Sequence, residues 1–281
     1  MGLTGVILRA ALKLKPVETA WIRQTTVPAA SLKDAIEVFE TTQDTTYSVA
    51  WIDCLATGAD LGRSLVSLGE HADPSELAIT DQKTPLKSPT RHKKTVPFDF
   101  PSIALNRFSL RAFNTAYYKA GLRKEGTALV DWNSYFYPLD SILGWNRIYG
   151  RRGFTQFQCV LPLATSETGL SELLETIAAA GTGSFLAVLK RFGAQDSALS
   201  FPMEGYTLAL DFPMSARLHS LLDRLDDITV RHGGRFYLAK DSRMSADTLA
   251  RSDTRVSSFK SQRINNDWTR FSSVQSERLG L

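Results

Sequence analysis

The second half of this 281-residue chain predicts an α+β fold, a large antiparallel sheet with helices packed on one face. Three observations predict it. Apolar runs of strand length recur; stripes of leucine and isoleucine at helical spacing fall between them; glycines and serines punctuate the boundaries. Their order is strand, helix, strand, strand, helix, strand, which is the split βαβ arrangement.

Each element has its own reason. Residues 5–13 read as a strand that begins hydrophobic, with no polar lead-in. Residues 31–40 read as a helix, with Ser31 at the N-cap and Leu32, Ile36 and Phe39 on one face. Tyr47 to Ala56 reads as a buried strand, whereas residues 72–106 are polar and proline-rich without periodicity, a lid or a disordered loop. Further on, residues 154–163, 184–193, 205–213 and 235–239 read as strands. Leu170, Leu173, Leu174 and Ile177 mark one intervening helix, ended by Gly181. Leu218, Leu221, Leu222, Leu225 and Ile228 mark the other, capped by Ser215 and stopped by Gly233 and Gly234. Ser245 is placed to cap a short helix, and residues 267–281 put Trp268, Phe271, Val274 and Leu279 on a helical face expected to dock on the N-terminal strand.

Composition, 43% hydrophobic and 22% charged, is that of a soluble globular protein. The longest apolar runs, such as Phe185 to Leu189, fall far short of the ~20 residues of a membrane span. In the first sixteen residues Arg9, Lys13 and Lys15 follow the apolar part, the reverse of a secretory signal, and Val6 stands where a myristoylation motif takes Ser or Thr. Cys54 and Cys159 have no metal-ligand spacing with each other or with the four histidines, and read as buried reduced thiols of a cytoplasmic chain. The net charge of +4 is uneven: Lys83, Lys87, Arg91, Lys93 and Lys94 put five positive charges into twelve residues. That run is either a solvated loop or a surface for an anionic partner such as a membrane phosphate, and it contains no aromatic residue for stacking bases.

No Walker loop, GxGxxG, HExxH, CxxC pair or GxSxG occurs, so simple nucleotide and hydrolase readings lose their support. What remains is a set of polar residues on apolar strands: Gln156, Gln158, Lys190, Thr207, Tyr237 and Lys240. Residues two apart on a strand share a face, so Gln156 and Gln158 share one and Thr207 and Ala209 share one. Such a face is either a substrate cavity or the solvated side of a half-exposed sheet. Immediately after the last strand stand Lys240, Asp241, Ser242 and Arg243, a polar cluster that is either a site or a turn.

Several ordered stretches carry a resemblance. "MGLTGVILRA", "YSVAWIDCLA", "YPLDSILGWNRIYGRRGFTQFQCVLP", "GSFLAVLKRFG", "LSFPMEGYTLALDFP" and "LDRLDDITVRHGGRFYLAKDSR", with the tail to Leu281, resemble the decaprenylphosphoryl-β-D-ribose 2-oxidase family of vanillyl-alcohol-oxidase-type flavoproteins. The match runs through almost the whole chain except residues 72–106, where the family has a mobile loop. It implies FAD as cofactor and three regions: 1–18 as the last part of an FAD-binding domain, 19–234 as a substrate domain, and 235–281 as the return to the FAD domain. On this reading the chain is the C-terminal portion of such an enzyme, with only a partial FAD-binding domain.

The resemblance also implies roles. Lys240 matches a catalytic lysine beside the flavin, and Gly2, Leu3, Thr4, Gly5, Val6 and Tyr237 match the cofactor wall. Gln158, Lys190, Phe192, Thr207 and Ala209 match the substrate cavity. Two departures matter: Ala209 stands where the family is known for a cysteine, and Thr207 where Asn is common, so capture by a thiol there is excluded. The implied reaction oxidises the C2 alcohol of a polyprenyl-phosphate sugar by hydride transfer to flavin N5, with a short-chain reductase as partner. The implied placement is cytoplasmic, or membrane-associated through the basic loop, or periplasmic in an actinobacterium-like envelope. An oxidase of another sugar alcohol such as an aldonolactone, and a non-catalytic ligand-binding remnant, are the alternatives.

Overall fold

The structure, a computed structural model, describes residues 2–90 and 92–281. Met1, which opens the first resembling stretch, and Arg91, one charge of the basic run, lie outside the described residues.

The first half runs β1 (Trp21–Ala29), α1 (Leu32–Thr41), β2 (Tyr47–Ile52) and β3 (Ser64–His71). A short helix α2 (Ile79–Gln82) and β4 (Lys94–Thr95) precede α3 (Arg107–Leu122), β5 (Gly126–Asp131), α4 (Trp132–Phe136) and β6 (Ile142–Leu143). The second half runs β7 (Phe154–Pro162), α5 (Leu163–Ala180), β8 (Val188–Phe192), β9 (Gly205–Pro213), α6 (Leu218–Arg231) and β10 (Arg235–Phe236). Three helices close the chain, α7 (Ala246–Ser252), α8 (Arg255–Asn265) and α9 (Val274–Arg278).

Eight strands form one sheet in the order β10-β7-β9-β8-β2-β3-β1-β5, with every pairing antiparallel. The predicted split βαβ unit is β7 to β10. Counted inward from its edge, its strands stand fourth, first, third and second. The other half repeats that order from the opposite edge, β5-β1-β3-β2, so two such units meet where β2 pairs with β8.

One sheet face is apolar over most of its area, with Arg23, Thr25, Glu70 and Arg191 also on that side. In register across it lie Val27, Val66, Ala50, Leu189, Leu208 and Cys159. Onto it pack α1, α5 and α6, whose leucine and isoleucine stripes are buried. The N-cap of α1 is Ser31, whose hydroxyl accepts from the Asp34 N–H at 3.2 Å, and Gly181 closes α5 in the left-handed region.

The second face is covered only in part. Tyr117 on α3 meets Trp51 on β2 at 4.7 Å between ring centroids, and a side chain at Gly121 would strike Leu65 on β3. Helix α3 was not foreseen, because its buried positions are Leu110, Asn114 and Gly121, two of them polar or small. Over β8, β9 and β7 this face is mixed: Val160, Thr207 and Asp211 are buried, Gln156, Gln158, Val188 and Ala209 are half-buried, and Lys190 is exposed.

Several boundaries differ from expectation. Residues 5–13 are not a strand: no strand among the described residues pairs with their backbone, and Val6, Ile7, Leu8 and Leu12 are exposed. Ser215 does not cap α6, which starts after Arg217. The last strand is confined to Arg235 and Phe236, because its backbone tightens into a single 3₁₀ turn at Leu238–Lys240. The C-terminal helix is only α9, and Val274 is exposed, because Gln275 and Arg278 are the side chains that anchor it. Residues 72–106 are neither periodic nor free of the body: Ala20 N–H donates to Pro85 O at 2.8 Å, and Arg147 Nη1 donates to Val96 O at 3.1 Å.

Candidate functional site

The second face takes its chemistry from strand register. Gln156 faces Asp211; Gln158, Ala209, Val188 and Trp51 make one line across four strands; Val160, Thr207 and Lys190 make the next. Gln156 Nε2 donates to Asp211 Oδ1 at 2.8 Å, and Gln158 Nε2 donates to Thr207 Oγ1 at 3.1 Å. Thr207 itself is fully buried and donates to Cys159 O, so it fixes Gln158 from beneath. Lys190 is exposed, while Phe192 and Ala209 are half-buried.

At the sheet edge the ladder runs on past β10, where Tyr237 N–H donates to Gln158 O at 2.9 Å. The Tyr237 ring lies on Phe201, which in turn meets Phe192. Phe201 belongs to the loop between β8 and β9, held down by Arg255 through Ser197 O at 3.1 Å and Ser200 O at 2.7 Å.

The cluster after that strand divides by function. Asp241 accepts from the Arg243 and Met244 N–H groups and from Arg278 Nη2 at 2.7 Å. Burial raises its carboxyl, but Arg278 and the two amides outweigh burial and hold it below the usual range. Ser242 Oγ meets Thr155 Oγ1 at 3.1 Å, and Arg243 reaches Asp223 at 2.9 Å and Asp226 at 3.0 Å. These three side chains pin the turn. Lys240 makes no side-chain hydrogen bond or salt bridge among the described residues, and shares a small cleft with Gln156, Gln158 and Tyr237. Burial lowers its pKa, Asp211 draws it back up, and Lys190 adds to the lowering.

Asp211 is the residue the sequence reading missed. Its carboxyl is raised by burial against the opposing pull of Gln156 and Lys240. The same alternation that pairs Thr207 with Ala209 continues to Asp211, so the signal was present. Cys54 and Cys159 are buried free thiols pushed up to about 12 by burial, which removes them as nucleophiles near neutral pH. No group of three or more potential metal ligands occurs among the described residues.

Gly2 to Val6 lies elsewhere in this bonding pattern. Leu3 is buried and its carbonyl accepts from Arg263 Nε on α8 at 3.2 Å, whereas Gly2, Thr4 and Val6 are exposed. That bond ties the segment to α8 and not to the Lys240 cleft. The cleft, about 30 Å³, does not enclose a flavin ring, but its edge offers a planar anionic cofactor such as FAD an uncommitted, half-buried ammonium and an aromatic ring at a strand end.

Asp226, on the far wall of the same cleft, sets a pH dependence. Burial pushes its carboxyl up to about 6 from the ordinary 3.8, against the attraction of Arg243. The folded state thus holds this proton more tightly than the unfolded chain, so its stabilising contribution is full below pH 3.8 and is lost as pH rises through about 6. Asp226→Asn is expected to gain on the natural protein by roughly 2 kcal/mol between pH 4 and pH 7, at about 1.36 kcal/mol per pKa unit. Urea melts of both proteins at the two pH values check it; an unchanged difference would refute the assignment.

An eight-stranded antiparallel sheet with one helix-covered face and a second, partly covered face that carries polar side chains defines an α+β architecture. No family model matches the chain. It is 37% identical over 254 residues to the decaprenylphosphoryl-beta-D-ribose oxidase of Mycolicibacterium smegmatis, covering 88% of this chain and 54% of that protein. It is 30% identical over 292 aligned residues to the uncharacterized protein in the mprA 5'region of Streptomyces coelicolor, covering all of this chain and 78% of that one. The chain is thus similar to part of the decaprenylphosphoryl-β-D-ribose oxidase and spans about half the length of that protein. Among solved structures it is similar to a variant of berberine bridge enzyme (TM-score 0.43, 15% identity, 92% of this chain and 55% of that one). A xylooligosaccharide oxidase from Myceliophthora thermophila C1 gives a TM-score of 0.45 at 10% identity, over 91% of this chain and 54% of that one. At those values neither structure bears on the function.

Proposed function

We propose that the chain forms the substrate face and the catalytic cation of an FAD-dependent oxidase that converts the C2 alcohol of a polyprenyl-phosphate sugar to a ketone. The observation that supports it most is Lys240, left without an ion pair among the described residues in a turn whose other polar side chains are all committed. Bound FAD would supply the hydride acceptor. Lys240 would hold a fixed positive charge where negative charge develops, in a half-buried cleft where such an interaction is stronger than in water. Tyr237, propped by Phe201, would wall the cofactor.

The remaining residues bind and orient. Gln158, whose amide is locked by Thr207, turns its carbonyl oxygen to a sugar hydroxyl. Gln156 and the buried Asp211 keep the neighbouring floor rigid and keep Lys240 charged. Lys190, exposed on the adjoining strand, meets the phosphate, and Phe192 with Ala209 shapes the sugar pocket. Gly2 to Val6, tied to α8 through Leu3 O, would meet the cofactor away from the Lys240 cleft. Lys83, Lys87, Lys93 and Lys94 are all exposed, which suits a peripheral contact with anionic lipid. A short-chain reductase would consume the keto sugar.

The test is the visible spectrum of the 281-residue chain after incubation with FAD and desalting. A retained band near ~450 nm, the region of oxidised flavin, is the expected result. A colourless protein would overturn the flavin role of this chain.

A further inference from the structure

Asp211 stands apart from other buried carboxylates of the chain. Asp53, Asp226 and Asp253 each pair with an arginine, at 2.8, 3.0 and 2.7 Å. Asp211, 7% exposed, has no such partner among the described residues. Its Oδ1 accepts from Gln156 Nε2 at 2.8 Å, while Oδ2 accepts nothing among the described residues. Yet Oδ2 is not one of the fully enclosed polar atoms left without a partner, so solvent or a ligand reaches it. A buried carboxylate with one free, reachable oxygen is costly for a fold to keep, which points to a use beyond the scaffold.

Few charged or titratable groups face it. Lys240 approaches from the turn after β10 and attracts Asp211 without forming a salt bridge. Tyr149, stacked at 4.5 Å on Phe154 at the start of β7, keeps its hydroxyl protonated through burial. Gln156 on β7 is neutral, and Lys190 on β8 acts on Lys240. An acid and an ammonium thus flank one polar floor, and neither neutralises the other by contact. A hydroxyl between them can donate to the first and accept from the second.

We propose that Asp211 is the proton acceptor of the alcohol oxidation: the sugar C2 hydroxyl donates to its free Oδ2, while Lys240 Nζ donates to the same hydroxyl oxygen. The proposal rests on the oxidase reading and adds the group that removes the proton. The O–H bond breaks with its proton passing to Asp211 and its electron pair closing the C=O bond. The C2–H bond breaks with its pair leaving as hydride, so two electrons pass from the sugar to FAD. Burial, which raises the carboxyl, makes it a stronger base than a carboxylate in water, and Gln156 aims it.

Two measurements test it. In the FAD-loaded chain, Asp211→Asn is expected to lower kcat/KM by roughly 10²–10⁴, the range of a lost general base, and to remove the acidic limb of its pH profile. The second needs no turnover: the Asp211 carboxyl carbon is titrated by NMR in the natural chain with saturating ribose 1-phosphate or 2-deoxyribose 1-phosphate. Both ligands bring the same phosphate, so their difference isolates the C2 hydroxyl. A hydroxyl donating to the carboxylate favours its charged form, so the midpoint with ribose 1-phosphate should lie lower by roughly half a pH unit or more. Equal midpoints with the two ligands overturn the proposal even if the sugar is oxidised. Near-normal turnover by Asp211→Asn overturns it as well and leaves the oxidase reading standing. A hydroxyl-dependent midpoint without any oxidation by the natural protein would sustain the contact and count against the oxidase instead. If Asp211→Asn fails to fold, the comparison of midpoints in the natural chain decides.

Discussion

Gly205→Ala is expected to destabilise the protein by about 4 kcal/mol or more, the range reserved for backbone clashes that cannot relax. Gly205 opens β9 with φ +154°, and a Cβ there would sit 1.9 Å from Leu161 O and 3.0 Å from Pro162 Cα. Those atoms belong to β7, whose Pro162 pairs with Gly205 and whose Leu161 pairs with Tyr206. Relief would require β7 and β9 to separate at the end that carries Thr207. A thermal melt should show a fall of about 10 °C, at roughly 2–4 °C per kcal/mol for a chain of this size. Gly193→Ala, with nothing within 4 Å of its added methyl, is the control and should melt like the natural protein. A Gly205→Ala melt within ~2 °C of the natural protein, on the same scale, would contradict the strand register on which the site is built.

Lys240→Met is expected to lower turnover by roughly 10²–10³, the cost of removing one preorganised charge from a transition state, while leaving the fold intact. The fold survives because Lys240 makes no side-chain bond among the described residues and methionine keeps its half-buried stem. The loss should appear in kcat rather than KM if, as proposed, Gln158 and Lys190 hold the sugar. Arg278→Met should behave in the opposite way: it frees Asp241 and loosens the turn, so stability falls along with activity. Near-normal turnover by Lys240→Met would remove the lysine from the mechanism.

The second unit of the sheet was legible because each of its elements agrees with its surroundings. Residues 205–213 alternate on a strand with neighbours on both sides, and the α5 and α6 stripes face the same apolar layer. The first strand, WIRQTTVPA, escaped notice because Arg23, Gln24, Thr25 and Thr26 hide its pattern and Pro28 argues against a central strand. It is half-buried between β3 and β5, and only that tertiary setting makes it a strand. The opposite error occurred at residues 5–13, where apolar residues suggested a strand but no neighbour among the described residues supplies the ladder.

At the site, the four-residue cluster after β10 looked alike in sequence. Its division into three turn-pinning side chains and one uncommitted lysine depends on Arg278, Thr155, Asp223 and Asp226, partners up to 87 residues away. Lys240 itself was singled out through family resemblance, whereas Asp211 could have been read from alternation alone.

The claim that this cleft oxidises a sugar alcohol is tested most directly by adding a polyprenylphosphoryl ribose to the FAD-loaded chain without oxygen and following the band near ~450 nm. The band is expected to bleach, and more slowly when deuterium replaces hydrogen at the sugar C2. A band that persists with the sugar lipid demonstrably bound would contradict it.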